Sequence, residues 1–200
     1  MTETAETIRT FWFGDDADDA AVAAQQSKLW WAKNDAADIE IRTRFQTSTL
    51  AAAKGALDTW AATPSGTLAL ILLTDQFPRN MYRGRPESFS FDPIALHWTL
   101  HALEHGFDAS LRPIERIFIY LPLEHAESLM LQQRAVQLYE KLLSNVPTEQ
   151  QSVFSGFVNF AVRHRDVIAR FGRFPHRNAI LGRASTQEEI AFLKTAGSSF

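Results

Sequence analysis

The sequence contains no cysteine, which excludes disulfides, thiolate metal sites and a cysteine nucleophile. Glycine is sparse, nine residues spread along the chain, and there is no glycine-rich phosphate loop, no G-x-S-x-G elbow and no H-E-x-x-H. Long apolar runs are missing too. The longest strictly apolar stretch, residues 68–73, is far shorter than the roughly 18 residues that cross a bilayer, so no membrane role is expected. Neither sign of charge dominates: 20 basic residues face 23 acidic ones for a net charge of −3, which argues against nucleic acid as a partner. The first 13 residues carry Glu3 and Glu6 and no basic lead into an apolar stretch. A secretory leader is therefore not expected, and the chain reads as cytoplasmic.

What is present is ordinary globular composition, 46% apolar and 22% charged, laid out with helical periodicity. Apolar residues recur three and four apart, and no segment alternates long enough to suggest a strand. Helices are expected over about 4–12, from Asp18-Asp19 onward and from about 35–38 onward. Thr63-Pro64, a cap followed by proline at the first helical position, opens the most apolar helix, 68–77, which Pro78 ends or kinks. Asp92-Pro93 repeats the cap signal, and Gly106 follows the helix it opens. Pro113 starts a short helix to Tyr120. Pro122 separates it from a long one over about 125–144, and another runs over about 149–171 to Gly172. Ser185 with Glu188, or Thr186 with Glu189, supplies a capping box for the last helix. These elements predict an all-α fold, an antiparallel array of eight or nine helices, in a single domain spanning 1–200.

Arginine placement is the most informative feature. There are 15 arginines and five lysines, and nine of the arginines fall in two windows, 79–85 and 163–183, which together hold one acid, Asp166. The windows carry a short echo: Asp75-Gln76-Phe77-Pro78-Arg79-Asn80 against Arg173-Phe174-Pro175-His176-Arg177-Asn178. Guanidinium forks suit carboxylates and phosphates, so one reading is an anion site where the windows meet. The other is that the arginines brace loops against Asp75, Asp92, Glu124 and Glu127. Asp75, at the end of the most buried helix, needs a cationic partner, and Arg79 and Arg177 are the candidates. Glu124 or Glu127 is expected to pair with a window arginine.

The six histidines form two groups. His97, His101 and His105 lie four apart, within about 80° of one helix circumference, and with Glu104 they have the spacing of a divalent-metal site. Leu96, Leu100 and Leu103 on the opposite arc make theirs the natural solvent face, so no metal is assigned. His164 falls in the apolar stripe of Val153, Phe157, Phe160, Ala161, Ile168 and Phe171 and is expected to be buried. His164 and His176 both have arginine neighbours. Burial and positive charge keep such rings neutral, as a general base requires, and His125 and His176 are the candidates for that role.

Three stretches resemble a known family: Leu72-Leu73-Thr74-Asp75-Gln76-Phe77-Pro78-Arg79-Asn80, Tyr120-Leu121-Pro122-Leu123-Glu124-His125-Ala126-Glu127 and Phe171-Gly172-Arg173-Phe174-Pro175-His176-Arg177-Asn178. They are similar to the bacterial family catalogued as domain of unknown function 924, over nearly the whole chain. The resemblance implies an all-helical fold similar to tetratricopeptide-repeat proteins and carries no activity, cofactor or substrate. The expectation is a pocket lined by Asp75, Arg79, Asn80, Glu124, His125, His164, Arg173, His176, Arg177 and Asn178. It would take a small anionic molecule or the carboxylate end of a peptide, without a cofactor. A hydrolase-type enzyme using a neutral histidine as base in the same pocket, and a protein-interaction scaffold, remain open beside it.

Overall fold

The structure is a computed structural model in which residues 3–198 are described. Among these residues the chain is all-helical, with nine helices if the continuous path 64–81 is counted once, and no strand. The first three are α1 (Ala5–Phe13), α2 (Asp19–Trp31) and α3 (Asp35–Ala53). Then come α4 (Pro64–Ile71) and α5 (Phe77–Met81), followed by α6 (Asp92–Glu104) and α7 (Pro113–His125). The chain closes with α8 (Leu129–Leu143), α9 (Gln151–Phe171) and α10 (Gln187–Phe192). No helix among the described residues is long and apolar enough to cross a membrane.

Apolarity on every side puts α4 at the centre. Each residue from Gly66 to Ile71 is buried, and α1, α6 and α7 pack around the helix. Thr63 caps it by accepting from the Gly66 N–H (3.1 Å). Aromatic side chains tie the layers together: Trp12 lies 5.5 Å from Phe77 and 5.7 Å from Phe118, and Phe118 lies 4.8 Å from Trp30. One large cluster of buried apolar residues reaches from Ile8 to Ala161. A small second cluster, Val167, Ile168 and Phe174, holds the turn Pro175–Arg177 against α9.

Two prolines behave differently from the sequence expectation. Pro78 does not end its helix. A π-helical turn, Leu72–Gln76, precedes it, with the Phe77 N–H donating to the Leu72 carbonyl. Opening the pitch by one residue places Pro78 in the first turn of α5, where an N–H is not required. Pro122 does not separate two helices either: α7 runs through it to His125, and α8 begins only at Leu129. One missing donor is tolerated because residues 117–124 are buried on all sides and packing fixes the backbone.

Two smaller corrections and one choice between alternatives bear on side chains. Asp92 is not a cap: Phe91 holds that position without a side-chain bond, and the Asp92 carboxylate is used elsewhere. The capping box of α10 is Thr186 with Glu189, which leaves Ser185 to bond Asn178. On α6 the buried face is Ala95, Trp98, Thr99 and Ala102, while Leu100 is 37% exposed. His101 therefore turns inward, its Nε2 3.0 Å from the Ala61 carbonyl.

Candidate functional site

The π turn and α5 deliver Asp75 and Arg79 to one place. Asp75 is fully buried, and its carboxylate lies 3.2 Å from Arg79 Nη1 and 2.8 Å from His125 Nδ1. Gln76 Nε2 donates to it at 2.5 Å. Burial by itself raises a carboxyl pKa; the Arg79 charge, then His125 and Gln76, outweigh it and hold Asp75 well below the usual range. Arg79 also reaches across to α6, donating to both carboxylate oxygens of Asp92 (2.9 and 3.1 Å) and to the Asp75 carbonyl (2.7 Å). Asp92 is then shared. Arg177, from the turn after α9, approaches its Oδ2 at 3.5 Å.

Arg177 is the unusual member. It is buried (6% exposed), its guanidinium carbon lies 4.6 Å from the Phe89 ring centre and 4.4 Å from that of Phe174, and its Nε has no acceptor. Burial, with the Arg79 charge beside it, draws its pKa down to about 10, so it stays a cation at neutral pH. A buried donor without a partner is rare enough to need a reason.

The C-terminus of α7 supplies the rest. Asp75 is ionised and can only accept, so the proton of His125 is assigned to Nδ1 and the lone pair to Nε2. Burial first, then the Arg79 charge, lower the His125 pKa against the opposing pull of Asp75, so the ring is neutral at pH 7. Glu124 faces the other way and meets His164 Nδ1 at 2.9 Å; it does not pair with an arginine. Glu127, just past the helix, takes Arg183 on both oxygens (2.6 and 2.9 Å) and the Phe174 N–H (2.8 Å). Burial and the neighbouring Arg177 push His176 down to about 3.

Asp92, His125, Glu127 and Arg177 border a hollow of about 450 Å³, open to solvent, between the turn Pro86–Phe89, the start of α6, the end of α7 and the Arg177 turn. Its wall is apolar at Pro86, Phe89, Pro93, Leu96, Pro122 and Leu181 and polar at Ser90, Asp92, His125, Glu127 and Arg177. Three prolines stiffen it. Among the described residues no group of three histidine or acidic side chains has the spacing to hold a metal ion.

Of the residues expected in one pocket, the structure brings together Asp75, Arg79, His125 and Arg177, with Asp92 as the link. Glu124 and His164 form an adjacent buried pair, the His164 ring 6.4 Å from that of His125. His176 lies behind the hollow against Phe174 (5.5 Å) and is not part of its wall. Asn80 donates to Asp38 on α3, Arg173 binds Glu189 on α10 through both oxygens, and the buried Asn178 joins Ser185 to Arg183. Arg83, Arg85, Arg165 and Arg170 likewise pair with Asp38, Glu87, Asp166 and Glu188. Bracing is what most of the window arginines do. Sequence reasoning named Asp92 only as a cap and as a possible brace for an arginine, not as the link between Arg79 and Arg177, and it missed the Phe89 and Phe174 contacts with Arg177 because aromatic residues in loops read as anchors.

Residues 8–197 match the model of a family described as bacterial proteins of unknown function, DUF924. The chain belongs to this family. No curated protein matches it. Among solved structures it is similar to a protein of unknown function from Agrobacterium tumefaciens, with 38% identity and a TM-score of 0.74 over 88% of this chain and 99% of that one. The three stretches that carry the DUF924 resemblance are 72–80, 120–127 and 171–178, and in this member they converge on Asp92 and its neighbours.

Proposed function

We propose that the hollow binds a small molecule, or the end of a peptide, through a single carboxylate received by Arg177. One observation carries the reading: Arg177 is a buried cation whose Nε lacks an acceptor and whose one carboxylate contact is long and shared. Arg79 and Arg183 already bind acids through two oxygens each, so neither competes for a ligand. Asp92 and Glu127 in the same wall oppose a second negative charge, which favours a monoanion over a phosphate. The Phe89 and Phe174 rings packed against the buried Arg177 guanidinium restrict it, so little freedom is lost when the fork closes on a carboxylate. The apolar remainder of the wall suits an apolar body behind the anion.

Thermal unfolding with three probes tests this. 4-Phenylbutyrate is expected to raise Tm, 4-phenylbutanol to leave it unchanged, and inorganic phosphate to act weakly. A ligand at a hundred times its Kd stabilises by about 2.7 kcal/mol, worth several degrees in a protein of this size. Arg177→Met keeps an apolar stem between the two rings and is expected to abolish the shift. An equal shift in that variant, or with the alcohol, overturns the proposal.

A further inference from the structure

Of the side chains in the wall that could act as a base, Asp92 and Glu127 are already held through both oxygens by Arg79 and Arg183, which leaves His125. His125 is fixed through Nδ1 by Asp75, which Arg79 and Gln76 hold from other sides, so ring orientation and tautomer are set. Among the described residues no donor bonds its Nε2, and His125 is one of the residues that line the hollow. Among the described residues, Ser90 is the one hydroxyl in that lining, and it is engaged with the Pro86 carbonyl (3.3 Å). A base without an adjacent protein nucleophile activates water.

We infer that the site hydrolyses a carboxylic ester bearing a separate carboxylate, with Arg177 holding the carboxylate and His125 serving as general base. This rests on the binding proposed above and adds a substrate class and a reaction. Water attacks the ester carbonyl carbon as its proton passes to His125 Nε2, and a carbon–oxygen bond forms. The tetrahedral adduct collapses, the bond to the alkoxy oxygen breaks, and the leaving oxygen takes the proton back from His125. The products are a carboxylic acid, which loses its proton to solvent, and an alcohol.

The experiment compares 4-nitrophenyl hydrogen succinate with 4-nitrophenyl propionate, while calorimetry follows 4-phenylbutyrate binding. The protein is expected to favour the anionic ester by at least about tenfold in kcat/KM, which is about 1.4 kcal/mol. His125→Gln is expected to lose about 10²–10⁴-fold in kcat, the usual worth of general-base catalysis, and to leave the 4-phenylbutyrate Kd within about threefold. Asp75 acts as a positioning residue. The groups facing His125 are Asp75 and Arg79 from the π turn and α5, Asp92 from α6, His164 from α9 and His176 from the following turn. Asp75→Asn removes the one that raises the His125 pKa most, so the acid limb of the rate profile moves to lower pH as kcat falls. No hydrolysis above background with binding intact overturns the reaction and spares the binding. Absence of 4-phenylbutyrate binding overturns both. A fully active His125→Gln overturns the assignment of the base.

Discussion

Asp75 is the residue on which the buried charges depend. It sits in the apolar central helix with Arg79, His125 and Gln76 converging on its carboxylate. Removing one partner of a buried ion pair leaves the other uncompensated, so Asp75→Ala is expected to cost about 3–5 kcal/mol in urea unfolding. A loss below about 1 kcal/mol would show that Arg79 and His125 find solvent instead. Acid acts through the same groups in two stages. His176 falls from 6.5 to about 3 on folding, so between those values the unfolded chain binds more protons. Its stabilisation is complete above 6.5 and shrinks as pH drops through that window. Asp75 and Glu189, the latter held to about 2 first by its bonds from Arg173, contribute stability that is present above their unfolded values and lost as pH falls toward the folded ones. Urea midpoints are therefore expected to decline from about pH 6.5 and more steeply below about pH 4. His176→Asn should shrink the first stage and leave the second, the remainder belonging to His125, and an unchanged first stage would assign all of it to His125.

At the scale of elements, the path 64–81 decides the site's geometry. Its N-terminus is set by Thr63 and by the close approach of Gly66 to the preceding turn. Glycine inside a helix normally weakens it by about 1 kcal/mol relative to alanine. Here a Cβ would overlap the Trp60 carbonyl oxygen, a backbone atom that cannot swing away. Gly66→Ala is therefore expected to destabilise by about 1–3 kcal/mol, reversing the sign of the propensity effect; a stabilised variant would contradict this packing. Further along, the π turn carries Asp75 toward α7 while Asn80 and Arg83 reach back to Asp38 on α3. One helix thus serves two sides of the molecule. Such a turn has no composition signal, because it depends on which carbonyl an N–H finds, so the sequence shows at Pro78 only an end or a kink.

For the whole molecule, the all-helical fold was legible from periodicity and punctuation: Thr63, Pro113 and Gly172 mark boundaries where the structure places them. Local rules succeed there because caps and prolines act within one turn. The site was legible in residue type and only partly in arrangement. Arg79, His125 and Arg177 were singled out, whereas Asp92 gains its role from α6 packing beside α5 and the Arg177 turn, a long-range fact. Arg173 and Asn80 lie in the same echoed motifs as Arg177 and Arg79, yet Glu189 and Asp38 claim them. Partner choice across the fold separates brace from wall. The most direct test is a nitrogen–proton NMR spectrum of the arginine side chains during titration with 4-phenylbutyrate. The expected result is a saturable shift of the Arg177 Nε–H, the donor that lacks an acceptor in the free protein, with Arg79 and Arg183 nearly still. An Arg177 signal that never moves while the ligand saturates elsewhere would contradict the assignment of this hollow as the binding site.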